Sequence, residues 1–236
     1  MGSPIDARES EWQDSYLRRE NFIFEPHEEV VRFVSRLIRK RVGLAEWRDS
    51  QPRGGAQRFL DVGCGIGQHI IYFAENGFDV YGIDMTPAAV EFARHWAKTQ
   101  GIDDAERRIR ISPAQSIPFE DDAFDVVVAR AVLDSMTRAL AQEACREVAR
   151  VLRPGGYFYT DLIARGRGSA LGPGEETVNS PHEFGTVQTY YDWDSARALV
   201  GESFEVVEQY KVDYQYLDEH RNHSRLHFFL RPKSPD

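Results

Sequence analysis

Apolar positions along the middle of the chain follow two alternating spacings. Short, nearly continuous apolar runs are typical of buried strands, whereas apolar positions that recur every three or four residues are typical of helices. The runs predict strands at residues 58–63, 78–84, 108–111, 124–130 and 157–162. The helical spacing predicts helices at residues 67–77, 86–101 and 140–152. Strands and helices that alternate in this way indicate a mostly parallel sheet with helices on both faces.

The segments before residue 26 and after residue 162 do not follow this alternation of strands and helices. Residues 1–25 are polar with scattered aromatic side chains, and a helix is predicted to begin after Pro26. Residues 163–190 are rich in glycine and polar side chains. A connection this long in a compact domain is usually either functional or disordered. A short helix around 192–201 and two strands, at 204–217 and 224–233, are predicted to follow.

Composition narrows the class of protein. The chain has 236 residues, and 42% of them are hydrophobic, which is enough for one domain with a sizeable core. No segment approaches the roughly 20 apolar residues of a membrane span, and no apolar stretch near the N-terminus resembles a signal sequence. Two cysteines suggest neither a disulfide framework nor a metal cluster. We therefore expect a cytoplasmic protein that uses no metal and has no membrane partner.

Net charge bears on the choice of partner. The formal charge is -9, whereas a nucleic-acid-binding protein usually carries a basic face that neutralises phosphates. One basic cluster, residues 36–41, is predicted to be the solvated last turn of a helix, where cations suit the helix dipole. We expect no nucleic-acid partner, and both a monomer and a homodimer remain open.

A glycine-rich turn is the strongest chemical signal in the chain. Gly63, Gly65 and Gly67 follow the first predicted strand, and Asp84 ends the next one. Ligands of open parallel sheets bind beyond the carboxyl ends of the strands, where glycines allow close backbone approach and an acid can accept from ribose hydroxyls. The spacing does not fit G-x-G-x-x-G of dinucleotide sites; it reads D-x-G-x-G-x-G, with Asp61 at its head.

Four blocks of sequence together resemble the class I S-adenosylmethionine-dependent methyltransferases. They are LDVGCGIG, VYGID, IPFEDDAFDVVVA and VLRPGGYFYTDL, which occur in family order and at family spacing between about residues 58 and 162. The stretch GQHIIYFAENGFDV is similar to the tellurite-resistance and thiopurine type, and some similar proteins modify sugars. The resemblance implies an α/β, Rossmann-like doubly wound fold whose sheet has seven mostly parallel strands and an antiparallel last strand.

The same resemblance implies that S-adenosyl-L-methionine is the cofactor and assigns residues to it. The glycines face its methionine part, Asp61 helps to hold the amino group and Asp84 takes the ribose hydroxyls. Met85 packs on the adenine, and Ala114 and Gln115 hold the adenine edge. Members often carry an acid where this chain has Pro113, which cannot accept from the adenine amine. Ser112, Gln115 or a backbone carbonyl is left to replace it.

Residues that contact the methyl acceptor are predicted from their position after the fourth strand and in the long insert. Arg130 and Asp134 follow the fourth strand, next to the cofactor crevice, and the insert 163–190 contributes His182 and Glu183. We predict Asp134, His182 and Glu183 as catalytic residues and assign Arg130 to the cofactor side. His27 is interpreted as a surface residue at a helix end, and His223 as a turn residue.

The aromatic side chains before residue 26 need something to pack against. Trp12, Tyr16, Phe22 and Phe24 lie among charges in a segment too polar to form its own core. We predict that residues 1–25 form a lid over the bound cofactor, with Tyr16 nearest the reacting groups. Residues 26–236 are then the methyltransferase domain, with 163–190 as its substrate-side insert.

The function expected from these observations is transfer of a methyl group to an oxygen of a small polar or sugar-like acceptor. The alternative is an N-methyltransferase of a small amine. A non-catalytic cofactor-binding protein is less favoured because the long polar insert suggests an acceptor site. A nucleic-acid methyltransferase is less favoured because the chain is acidic and has ARAVLD, rather than N-P-P-Y, after the fourth strand.

Overall fold

A computed structural model of the chain describes residues 4–50, 55–165, 172–179, 183–215 and 222–233. Its helices are α1 (Pro4–Leu17), α2 (Glu28–Leu37), α3 (Gln68–Glu75), α4 (Pro87–Thr99), α5 (Ala105–Arg108), α6 (Arg138–Val151) and α7 (Trp193–Gly201). Its strands are β1 (Arg39–Arg41), β2 (Trp47–Asp49), β3 (Arg58–Val62), β4 (Asp79–Asp84), β5 (Ile109–Ile111), β6 (Phe124–Ala129), β7 (Leu152–Arg165), β8 (Gly174–Thr177), β9 (Val187–Tyr190), β10 (Phe204–Gln215) and β11 (Asn222–Pro232).

Seven of these strands form one sheet in the order β10-β11-β7-β6-β3-β4-β5. The five strands from β7 to β5 run parallel, while β11 is antiparallel to both of its neighbours. Strand order reverses between β3 and β6, and this creates a crevice at their carboxyl ends. The predicted Rossmann-like α/β fold, with seven mostly parallel strands and an antiparallel last strand, is confirmed.

Helices cover both faces of the sheet because alternate residues of each strand point to opposite sides. In β6, Val127 packs in the cluster that contains apolar residues of α6 and α7, whereas Val126 and Val128 pack in the cluster formed with α2, α3 and α4. This double coverage explains why β6 is buried at every position and shows no alternation of polar residues. The crevice therefore lies at the edge of a rigid, fully packed layer.

Three segments differ from the sequence-based expectation. Residues 4–17 form a helix, although their sequence shows no helical apolar period. The basic stretch ends the helix only in part: Arg36 lies in the last turn of α2, but residues 39–41 form β1, which pairs with β2 and is joined to it by the Arg39–Asp49 ion pair. Within the predicted insert, β8 and β9 form an antiparallel ladder.

Among the described residues, no helix combines the length and the apolar character that a bilayer crossing requires.

Candidate functional site

The turn between β3 and α3 requires glycine at two points of close approach. Gly63 and Gly65 have φ angles of +69° and +53°, in the left-handed region that favours glycine. A Cβ on Gly63 would lie 2.4 Å from Cγ2 of Val132, and one on Gly65 would lie 2.7 Å from the Tyr16 hydroxyl. The turn thus exposes bare backbone between the β6–α6 connection and helix α1.

Asp84 is anchored at the end of β4, next to this turn. Its Oδ2 accepts from the Gly65 amide at 2.9 Å, and its Oδ1 accepts from the amide and hydroxyl of Thr86. Burial raises the pKa of Asp84, although the hydrogen bonds from Thr86 and Gly65 oppose that rise. A carboxylate oxygen can accept two hydrogen bonds. Oδ2 accepts the one from Gly65 and can accept a second from a ligand hydroxyl.

A cavity of about 330 Å³ opens above the turn. That volume is within the usual range for small-molecule sites. Nine of the residues predicted from sequence line it: Tyr16, Gly63, Gly65, Asp84, Met85, Ala114, Arg130, Asp134 and Glu183. The structure therefore places residues assigned to the cofactor and residues assigned to the acceptor around one space.

Three other predicted residues, all of them described by the structure, are not among those lining the cavity. Asp61 is buried beneath the turn, where Oδ2 lies 3.1 Å from Nδ1 of His69. Gly67 allows α3 to approach α4, because an added Cβ would lie 3.3 Å from that of Ala93. The Gln115 amide donates to Met136 Sδ and to the Leu140 carbonyl instead. His182 lies outside the described residues.

The N-terminal segment forms one wall of the cavity. Trp12 and Tyr16 of α1 line it together with Asn21 and Ile23. Helix α1 is held against the start of α4, where the Gln13 side-chain carbonyl accepts from the Ala88 amide at 2.9 Å. Burial raises the pKa of the Tyr16 hydroxyl, and the nearby Asp84 carboxylate raises it further, so this phenol stays neutral.

The other two aromatic residues of this segment pack elsewhere. Phe22 lies against Phe92, with ring centroids 4.6 Å apart, and Phe24 lies against Trp96 at 5.2 Å. Both partners belong to α4, so these contacts anchor the segment to the helix flank and not to the crevice. Trp12 and Tyr16 alone among the four aromatics reach the cavity.

A cluster of four charged residues, three of them buried and Arg130 partly exposed, borders the cavity. Arg225 of β11 bonds through Nη2 to Asp134 Oδ2 at 2.7 Å and through Nε to Asp161 of β7. Arg130 lies 3.7 Å from the same Asp161 carboxylate. Burial alone would raise the pKa of Asp161, but the charges of Arg225 and Arg130 outweigh it and lower that pKa.

Asp134 has one carboxylate oxygen that the described residues leave without a hydrogen bond. Its Oδ2 accepts from Arg225 and from the Ile163 amide, whereas Oδ1 is buried and unpartnered. Burial raises the pKa of Asp134, Arg225 opposes this effect, and Asp161 adds to it. Thr137, not Asp134, caps α6, so the position of Asp134 is not explained by helix initiation. An unpaired buried oxygen beside a cavity favours a role in ligand binding.

Sequence reasoning missed several residues of the site. Arg225 and Asp161 carry a usable signal, because each is a charged residue inside an apolar strand. His69 carries no usable signal in the sequence, and the helix-end position of His27 predicts only a surface residue. Both histidines line the cavity, and the two rings contact each other.

Comparison with known proteins is consistent with this geometry. Residues 60–160 match the family described as "Methyltransferase domain". An uncharacterized methyltransferase of Synechocystis sp. is 34% identical over 138 residues, which are 55% of this chain and 60% of that protein. Another, YcgJ of Bacillus subtilis, is 35% identical over 101 residues, covering 43% of this chain and 38% of that protein. The match spans less than two thirds of each relative's length.

Two solved structures share the fold over most of the chain. The 1,6-didemethyltoxoflavin-N1-methyltransferase of Burkholderia thailandensis, with bound S-adenosylhomocysteine, superposes with a TM-score of 0.72 at 17% identity, covering 99% of this chain and 92% of that one. A protein described among the SAM-dependent methyltransferases of Methanosarcina mazei gives 0.66 at 18% identity, covering 89% and 100%. At such identities these likenesses establish the fold.

Proposed function

We propose that this chain, whose residues 60–160 carry a methyltransferase domain, uses S-adenosyl-L-methionine to methylate an oxygen of a small polar acceptor. One observation carries the proposal. The residues that line the cavity include Gly63, Gly65 and Asp84, which form the cofactor end in this proposal, and Asp134 with its unpartnered Oδ1, which forms the acceptor end. A cofactor cradle and a polar acceptor wall are thus joined in one space.

The cofactor end fits the group that the family uses. Asp84 presents an oxygen with spare capacity for a ribose hydroxyl, and an added side chain at Gly63 or Gly65 would intrude on the turn. Met85 and Ala114 line the adjoining part of the cavity, where an adenine would lie. S-Adenosylmethionine, when bound, supplies a methyl group on a cationic sulfur, so the protein's main task is to position the acceptor and exclude water.

The acceptor end supports a small polar molecule. Asp134 Oδ1 is available to accept a hydrogen bond from a hydroxyl, and Arg225 holds that carboxylate in place. Tyr16 from α1 and Glu183 and Gln188 from the insert complete the wall. This enclosure limits the size of the acceptor, while the net charge of -9 disfavours nucleic acid.

A second candidate is N-methylation of a small amine. The observation in its favour is the same Asp134 oxygen, because a buried carboxylate also attracts the N–H groups of an amine. The N1-methyltransferase named in the structural comparison shows that this fold also serves nitrogen acceptors. Paired hydroxyl and amine acceptors of similar size would separate the two candidates.

The test compares two glycine substitutions. Gly65→Ala and Gly101→Ala both place a side chain at positive φ, but only Gly65 faces the cavity, since open space surrounds Gly101. Calorimetry should show that Gly65→Ala weakens S-adenosylmethionine binding at least about tenfold, while Gly101→Ala leaves it within about twofold. A panel of hydroxyl and amine acceptors, followed by mass detection of methylated product, then identifies the acceptor class. No binding by the unaltered chain would refute the proposed function.

A further inference from the structure

A chain of three polar side chains runs from the cavity into the protein beneath the glycine turn. Nδ1 of His27 lies 3.2 Å from Nε2 of His69, and Nδ1 of His69 lies 3.1 Å from Oδ2 of Asp61. His69 and Asp61 are buried, whereas His27 is partly exposed on the cavity wall. The members come from three elements: the residue before α2, the first turn of α3, and β3.

The order of groups in this chain determines where the protons lie. An ionised carboxylate only accepts hydrogen bonds, so the Nδ1 of His69 facing Asp61 must carry a proton. The backbone amide of His27 donates to Nε2 of His69 at 3.4 Å, so that nitrogen carries a lone pair and also faces the His27 ring as an acceptor. The His27 Nδ1 must therefore carry a proton too. Its remaining nitrogen, Nε2, is left with a lone pair.

The surroundings keep His27 neutral. Burial lowers its pKa to about 3, and the positive charge of Arg130 contributes to that shift. The other groups acting on the ring are His69 of α3, Asp161 of β7 and Arg225 of β11; among these only Asp161 favours the charged form. The free lone pair can accept a proton from the cavity, but an imidazole with so low a pKa is a weak base, so the proton has to be passed on to a further acceptor.

We propose that His27 accepts the proton of the methyl acceptor, and that His69 and Asp61 form a relay that orients it. This inference rests on the proposed function. As the acceptor oxygen bonds to the methyl carbon, the carbon–sulfur electron pair stays on sulfur and the acceptor proton moves to His27 Nε2. The Nδ1 proton of His27 passes to His69 Nε2, and the Nδ1 proton of His69 passes to Asp61. The extra proton therefore ends on Asp61 and neutralises its carboxylate. No positive charge remains on His27 near Arg130.

In this arrangement Asp61 differs from the role expected from the family resemblance. Its Oδ2 is directed to His69, and it does not line the cavity. In the proposed relay His27 is the catalytic residue that takes the acceptor proton from the cavity, while His69 is a positioning residue that sets the tautomer of His27. Asp134 holds the acceptor from another side and need not take its proton.

Nitrogen NMR of the full chain, labelled with 15N-histidine and loaded with S-adenosylhomocysteine, tests the relay directly. Substitutions His27→Gln and His69→Gln assign the signals. Both rings should show a single Nδ1–H tautomer, while exposed His95 should average between two tautomers. In His69→Met, which lacks the ring acceptor, His27 should become averaged as well. An Nε2–H tautomer of His27, or no change in His69→Met, would overturn the proposal.

The second measurement is kcat with the acceptor that the screen identifies. His27→Gln should lower kcat about a hundredfold or more and leave cofactor affinity within about twofold. The matched variant, His95→Gln, should keep full turnover. If His27→Gln keeps kcat within about threefold, His27 does not accept the proton. Failure of the proposed function would appear separately as absence of cofactor binding, because the tautomers are measured without turnover.

Discussion

Asp84 shows how much one side chain at the end of a strand contributes. Its carboxylate holds the Gly65 amide and the Thr86 cap while it faces the cavity. We expect Asp84→Ala to weaken S-adenosylmethionine binding roughly tenfold to a hundredfold, because hydrogen bonds to an ionised group are worth about 1.5–3 kcal/mol. Calorimetry measures the affinity, and a thermal melt checks that the variant is folded. Unchanged affinity in a folded variant would remove Asp84 from the cofactor site.

At the scale of elements, helix α1 depends on contacts with the rest of the protein for its stability. It shows no apolar stripe, and its described side chains make separate contacts: Gln13 with the start of α4, and Trp12 and Tyr16 with the cavity. A short helix without tertiary support is marginal in water. We propose that α1 acts as a lid, stabilised by the same crevice that it covers.

Deletion of residues 1–20 tests the lid and leaves the flank contacts of Phe22 and Phe24 in place. The truncated protein should melt at nearly the same temperature as the full chain when no ligand is present. S-Adenosylmethionine should raise that temperature less, and turnover should be largely lost because water enters the site. A truncated protein that binds the cofactor and turns over like the full chain would show that α1 is not a lid.

At the scale of the whole molecule, one arginine joins distant parts of the chain. Arg225 of β11 binds Asp161 of β7 and Asp134 of the β6–α6 connection, and its exposed fraction is only 8%. Removing one partner of a buried ionic cluster leaves uncompensated charge in a medium that solvates it poorly. The cluster therefore links the proposed acceptor wall to the stability of the sheet.

We expect Arg225→Met to lower the free energy of unfolding by about 3–5 kcal/mol, as measured by urea denaturation. Arg36→Met is the control, because Arg36 pairs with Glu208 on the surface at 2.7 Å, and loss of an exposed pair should cost less than about 1 kcal/mol. Adding Asp134→Asn to Arg225→Met should recover part of the loss, because Arg225 is the ion-pair partner of Asp134 and the second substitution removes the charge left behind, whereas Asp161 keeps Arg130. Equal effects of Arg225→Met and Arg36→Met would contradict this account.

Local patterns in the sequence were enough for most of the fold. The predicted strands and helices of the sheet layer are present because apolar periodicity reports which face of each element is buried. The glycine turn and Asp84 were also predictable, since a left-handed backbone and the end of a strand are properties of neighbouring residues. The sequence therefore determined the sheet, its helices and the position of the cofactor crevice.

Tertiary structure alone decided how residues far apart in sequence meet. Arg225 and Asp134 are 91 residues apart, and His27 and His69 are 42 apart, yet each pair is in hydrogen-bond contact. No local pattern encodes such pairs, because a polar residue gives no sign of its distant partner. Helix α1 escaped prediction for the same reason: its contacts are made with α4 and the cavity wall and not along its own face. The glycine turn is a local feature, whereas the proposed acceptor wall forms only when β11 pairs with β7 and brings Arg225 to Asp134.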